Sequence, residues 1–224
     1  MSNFTHLHLH TCYSLGSGTI RIDDLINIAK KNKLKSLVLT DHLNIFGAIK
    51  FYNKCIEAKR KPILGCEIPI IYKNNQLLGN IVLLCMNIDG YHNLNKILSF
   101  IHTSRSNTLG ANIELLDKYK SNLICLSGGR NGICGLNSLT KSLFETENII
   151  KEISQLFLDK FYIEIDKTER ENENSYIKKS LLIASKFNLP IVASNDVLFI
   201  SDSDYEANEV KVAINQKTKL DDRI

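Results

Sequence analysis

Apolar residues recur with two different periods along this chain of 224 residues. Ile22, Leu25, Ile26 and Ala29 fall at i, i+3, i+4 and i+7, one face of a helix, and predict a helix over about residues 22–33. Its last turn carries lysines, where the helix dipole favours them. Ile45, Ala48, Ile49, Tyr52 and Ile56 predict a second helix that stops in the basic Lys59-Arg60-Lys61-Pro62. Between such segments lie short apolar runs at residues 36–40, 63–72, 80–85, 123–126, 161–165 and 190–194, which predict buried strands. Asn74-Asn75 predicts the turn of a hairpin joining two of them. Further helices are expected from Asp89-Gly90 to Ser104, over 113–119, over 145–158, up to Phe187 and over 204–215.

Strand–helix alternation along a whole chain predicts an α/β fold with a mostly parallel sheet and right-handed crossovers. No Pro/Gly/Ser-rich linker or repeat interrupts it, so residues 1–224 are expected to form one domain. A closed β/α barrel is favoured over an open sheet by where the polar residues lie. His10, Asp41-His42, Glu67, Gly128-Gly129 and Asn195-Asp196 sit in, or at the C-terminal end of, apolar strands. In a barrel those ends form one rim, where active sites are built.

The N-terminal stretch Phe4-Thr5-His6-Leu7-His8-Leu9-His10-Thr11 holds three of the six histidines at alternate positions. Alternation is the strand period, so all three would share a face, roughly 6.6–7 Å apart. Two imidazoles at that spacing can converge on one ion at roughly 2.0–2.1 Å each for zinc. His8, His10, His42, Glu67 and Asp196 together make a mixed imidazole and carboxylate set. Such a set suits Zn²⁺, Mn²⁺ or Fe²⁺ better than Ca²⁺ or Mg²⁺, which prefer oxygen shells. Structural roles compete at each position. The histidines could be satisfied by neighbours, Asp41 could cap the helix after Thr40, and Asp196 could be a turn residue. Glu67 among apolar neighbours is harder to explain that way, because a lone buried carboxylate is costly. His92 and His102 fall on a predicted helix and read as surface or packing residues.

Composition narrows the picture. Apolar residues make up 44%, enough for a sizeable core, and the net charge of +4 is too mild to imply nucleic-acid binding by itself. No run approaches the length of a membrane span, and no signal peptide is visible at the N-terminus. The six cysteines form no Cys-x-x-Cys pair. They read as reduced cytoplasmic thiols, with Cys12 a possible further ligand beside the histidine strand.

His8-Leu9-His10-Thr11, Leu39-Thr40-Asp41-His42, Pro62-Ile63-Leu64-Gly65-Cys66-Glu67, Leu126-Ser127-Gly128-Gly129 and Ala193-Ser194-Asn195-Asp196 resemble the ordered motifs of the PHP (polymerase and histidinol phosphatase) domain. Gly47-Ala48-Ile49-Lys50-Phe51-Tyr52, Gly90-Tyr91-His92-Asn93-Leu94 and Ser194-Asn195-Asp196-Val197 resemble, more closely, the version at the N-terminus of bacterial DNA polymerase III α subunits. So does Leu220-Asp221-Asp222-Arg223, where that domain passes into the polymerase body. The resemblance spans essentially the whole chain. It implies a distorted seven-stranded β/α (TIM-like) barrel, carried as the front part of a far longer polymerase. It also implies a role in DNA replication, with DNA synthesis performed by a Mg²⁺-dependent carboxylate set beyond these residues.

An intact domain of this family binds a three-metal cluster. Carried over motif by motif, His8, His10, Glu67 and Asp196 match the ligands of one metal. Asn80 and Gly129 stand where the second metal would take a histidine and a cysteine or histidine. Ser17 and Leu198 stand where the third would have ligands, leaving His42 there. The resemblance therefore implies a degraded site with one divalent metal (Zn, Mn or Fe) and little or no nuclease activity. The domain would then serve as a scaffold, its partners the rest of the polymerase chain and a proofreading exonuclease subunit, and DNA through the full-length enzyme. An active metal-dependent 3′–5′ exonuclease and a free-standing phosphoesterase stay open as alternatives.

Overall fold

The computed structural model describes residues 4–72, 76–104 and 108–220. In chain order the elements are β1 (His8–Leu9), α1 (Ile22–Lys31), β2 (Ser36–Leu39), α2 (Ala48–Glu57), β3 (Lys61–Tyr72) and β4 (Gln76–Cys85). There follow α3 (Ile88–Thr103), α4 (Ile113–Tyr119), β5 (Leu123–Leu126), α5 (Gly135–Thr140), α6 (Leu143–Phe157) and β6 (Phe161–Asp166). The last are α7 (Glu173–Phe187), β7 (Ile191–Ser194), β8 (Asp196–Val197) and α8 (Tyr205–Gln216). The expected alternation of strands and helices is present. Two of the strands among the described residues have two residues each, so a count of seven is approximate. The Asn74-Asn75 turn and most of the Leu220–Arg223 motif lie outside the described residues.

Two compact units divide the chain: residues 1–64 with 196–224, and residues 65–195. In the first unit, β1 runs parallel to β8 with His8 opposite Asp196 and Leu9 opposite Val197. The ladder extends by one bond, His10 N–H to Val197 O at 2.8 Å. On its other side β1 is stitched to the end of β2 by a side chain. The Leu9 N–H donates to Thr40 Oγ1 at 2.8 Å, while the Thr40 N–H and hydroxyl both donate to Leu9 O. Strand β2 pairs in parallel with the first four residues of β3, Ser36 opposite Lys61 through Leu39 opposite Leu64.

Helix α1 buries Ile22, Leu25, Ile26 and Ala29, the stripe read from its periodicity. Helix α2 does not follow its reading. Its buried residues are Ala48, Phe51 and Cys55, whereas Ile49, Tyr52 and Ile56 are 68%, 47% and 53% exposed. Both triplets have the i, i+3, i+7 spacing of a helix face, so periodicity alone could not say which one faces the core.

In the second unit β3 and β4 form the expected antiparallel hairpin, with Glu67 opposite Val82 and Pro69 opposite Asn80. β4 and β5 are also antiparallel; β5–β6 and β6–β7 are parallel. Cys66, Ile68, Ile81, Leu83, Cys125, Phe161 and Ile163 from these strands are fully buried with Leu94, Ile97, Ile150 and Ile183 of the covering helices.

All six cysteines are free thiols, as expected, and four are buried. Burial pushes the Cys55 thiol up to about 11 and that of Cys85 to about 12, so neither is a ready nucleophile. Phe51 on α2 has no solvent exposure. Replacing it with alanine should lower stability by about 3–5 kcal/mol, as large-to-small core changes do, measured by urea unfolding. Ile49→Ala on the exposed stripe should change it by less than about 0.5 kcal/mol.

Candidate metal centre

Pairing of β1 with β8 sets Asp196 opposite His8. His10 follows two residues on, so strand alternation returns it to the same side as His8. Both histidines are buried, at 2% and 3% exposure. Their Nε2 atoms face each other at 3.2 Å, and His10 Nε2 lies 3.4 Å from Asp196 Oδ1. These three residues offer ligand atoms within 4.8 Å of one another and are the metal-competent group found among the described residues.

Hydrogen-bond accounting assigns the donor on the Nδ1 side of His10. The Asp41 carboxylate, fully buried, accepts from Thr11 N–H at 2.6 Å, Thr11 Oγ1–H at 2.7 Å and Ser14 Oγ–H at 2.7 Å. A hydroxyl has one proton, and that of Ser14 is committed to Asp41. The 3.0 Å contact between His10 Nδ1 and Ser14 Oγ therefore has the ring as donor. The His42 N–H donates to the same oxygen at 3.1 Å. With a proton on Nδ1, the neutral ring of His10 would carry its lone pair on Nε2, the form in which imidazole binds a metal.

The set fits a divalent ion. Two nitrogens each about 2.05 Å from a tetrahedral zinc stand about 3.3 Å apart, close to the observed 3.2 and 3.4 Å separations. Asp196 Oδ1 is buried and has no hydrogen-bond partner among the described residues. A buried anionic oxygen left in that state calls for a cation.

The other expected residues are placed differently. His42 lies outside the three-residue group, although its N–H ties it to Ser14. Cys12 also lies outside it; its backbone pairs with Ile20. His6 does not join His8 and His10 but meets the Phe4 ring edge-on at 4.9 Å, and burial lowers its pKa. Asp41 does not cap a helix: α2 starts at Ala48, behind a Gly47 N-cap. Its partners lie about thirty residues back in the chain, which no local signal reveals. Ser14 is the residue that sequence reasoning missed, in a loop of small residues that carries no such signal.

Glu67 belongs to the second unit, on β3, and is buried. Its Oε1 accepts from Asn80 Nδ2 at 2.8 Å. The two are diagonal neighbours on one face of the hairpin, the arrangement that brings longer side chains together. The loop after β5 is equally filled. Gly128 has φ +81°, and a Cβ there would stand 2.4 Å from Asn80 O. Gly129 has φ +60°, and its Cβ would stand 2.8 Å from Asp166 Oδ1. That oxygen also accepts from Arg130 N–H at 2.9 Å and is bonded by the buried Tyr176 hydroxyl. A larger side chain at residue 129 would need a left-handed backbone and a shifted carboxylate.

The fold and this centre define a mixed α/β protein of the TIM-like class with a candidate His/Asp metal site. A PHP domain family model matches residues 6–168, and the chain belongs to that family. It is 32% identical over 224 residues to the DNA polymerase III subunit alpha of Haemophilus influenzae, covering 98% of this chain and 19% of the relative. The corresponding subunits of Pseudomonas fluorescens and Escherichia coli K12 are 34% and 32% identical. The chain thus spans about a fifth of the curated relatives it matches. Among solved structures it resembles an amidohydrolase from Chromobacterium violaceum with bound sulfate and no metal (TM-score 0.55, 10% identity, 94% of this chain and 97% of that one). It also resembles a candidate metal-dependent phosphoesterase from Bifidobacterium adolescentis (TM-score 0.51, 10% identity, 92% and 96%). At that identity the likeness shows the fold alone. No helix among the described residues is long and apolar enough to cross a membrane.

Asp41→Asn keeps the shape but turns an amide N–H toward one of three buried donors. It should cost about 1–3 kcal/mol in urea unfolding, the penalty of a buried donor left without an acceptor. A stability unchanged within error would mean that the carboxylate is not the centre of this network.

Proposed function

We propose that this chain is the PHP domain of a polymerase of the DNA polymerase III α type, and that it serves as a structural and docking domain rather than a nuclease. The single observation that carries the reading is the Asn80–Glu67 hydrogen bond. Asn80 stands at a position where the family resemblance places a histidine ligand, and its N–H meets the carboxylate that a second metal would need. Gly129, at another such position, has no ligand atom, and its surroundings leave no room for one. One candidate site remains in the first unit: His8, His10 and Asp196. His42 is left as a lone candidate for a further metal.

A divalent ion in the first site would supply local positive charge and tie the ligand strands together. Phosphoester hydrolysis by clustered metals needs ions on both the attacking and leaving oxygens, which this ligand set does not provide. DNA synthesis, the Mg²⁺ it uses and contact with DNA are assigned to the remainder of the longer protein, in the cytoplasm.

The docking role is supported by α2, where Ile49, Tyr52 and Ile56 form an exposed apolar stripe flanked by the exposed Phe46. The occupant we assign to it is the polymerase body, the part of the relatives that extends beyond this alignment. A proofreading exonuclease subunit is a second candidate partner of the domain.

Metal content per chain, measured by plasma mass spectrometry on protein purified without chelator, is expected to be about one ion, lost in His10→Ala. Incubation of the same protein with 3′-labelled DNA and Mn²⁺ or Zn²⁺ should release no nucleotide above that variant. Two or three ions per chain, or exonuclease activity that His10→Ala abolishes, would replace this reading with that of an active metal-dependent nuclease.

A further inference from the structure

Helix α8 sends a lysine into the loop that supports the candidate metal centre. Lys211 Nζ lies 2.7 Å from Gly18 O, 3.1 Å from both Ser14 O and Ser17 O, and 3.4 Å from Cys12 O. All four acceptors are backbone carbonyls from one short stretch, almost two hundred residues away in the chain. One turn earlier on the helix the buried Asn208 accepts from the Gly18 N–H at 3.1 Å. Carbonyl dipoles that converge in this way repel one another unless a cation lies among them, as in filters that replace the water shell of a monovalent ion. An ammonium group supplies that charge and three protons for the nearest oxygens. Burial lowers the Lys211 pKa, and the nearby Asp41 carboxylate acts in the opposite direction.

Ser14 gives this arrangement its consequence. Its carbonyl is held by Lys211, while its hydroxyl binds Asp41 and receives the Nδ1 proton of His10. The position of the ammonium therefore fixes the backbone that fixes the hydroxyl that orients the His10 ring. We propose that Lys211 is a positioning residue, a tethered cation seated in a cage built for a monovalent ion, which holds His10 ready for a divalent metal through Ser14. The metal half of this inference rests on the reading that His8, His10 and Asp196 bind an ion; the cage does not.

The test compares the chain with Lys211→Ala. Zn²⁺ affinity is measured by competition with a chromophoric chelator, and hydrogen exchange of the Gly18 and His42 amides by NMR. The variant should bind Zn²⁺ about 10–100-fold more weakly, the usual loss when a group behind a ligand is removed. Both amides should exchange faster. Ammonium chloride should restore affinity and protection, because the free ion fits the emptied cage, whereas tetramethylammonium chloride at equal ionic strength should not. Unchanged affinity and protection, or losses that ammonium does not repair, would overturn the tethered-cation role. If the unmodified chain binds no Zn²⁺, the metal reading fails by itself, and amide protection with its ammonium rescue decides the role of Lys211. Should the variant fail to fold, the Lys211 ammonium protons of the unmodified chain decide it. Slow exchange and couplings through the hydrogen bonds to the loop carbonyls are expected, and rapid exchange would overturn the proposal.

Discussion

A buried carboxylate holds the N-terminal unit in order. Asp41 has no solvent exposure and accepts two hydrogen bonds from Thr11 and one from Ser14. A carboxylate removed from water is tolerable when its lone pairs are filled this completely, and each bond to it is stronger than one between neutral groups. Those bonds fold the segment after β1 back over the end of β2. They also leave the Ser14 oxygen with room for two donors, which are the His42 N–H and the His10 ring. The Nδ1 side of His10 thus faces a hydroxyl that Asp41 holds in place.

How much of this was legible in the sequence depends on the range of the interaction. The α1 stripe, the apolar strands β5 and β6, and the β3–β4 hairpin follow from local periodicity and were read correctly. The His8, His10 and Asp196 association needs the pairing of β1 with β8 across most of the chain. It was reachable because strand-end positions and family motifs both pointed to it. The face of α2 was not legible, since two apolar stripes of equal spacing compete and tertiary packing chose Ala48, Phe51 and Cys55. Asp41, read as a helix cap, illustrates the same limit. Local grammar offers a cap, while the actual acceptor role depends on a loop about thirty residues earlier. Ser14 and Lys211 carried no signal at all, as one sits in a loop of small residues and the other on an ordinary amphipathic helix.

The two units share a chemical theme. In the second, an asparagine N–H meets the Glu67 carboxylate, and the Asp166 carboxylate is met by Arg130 N–H and the Tyr176 hydroxyl. In the first, an ammonium group fills the carbonyl cage of the loop after β1. In each of these cases an oxygen that could serve a cation is met by the protein's own N–H or O–H group. Asp196 Oδ1 is the exception among these carboxylates, buried and without a hydrogen bond among the described residues. Beside it lie the His8 and His10 imidazoles, so the carboxylate oxygen and both ring nitrogens are grouped where β1 meets β8. On the function proposed above, one ion would be held here while the second and third metal positions stay empty. On that reading the ion would join β1 to β8, the strands from which its ligands come.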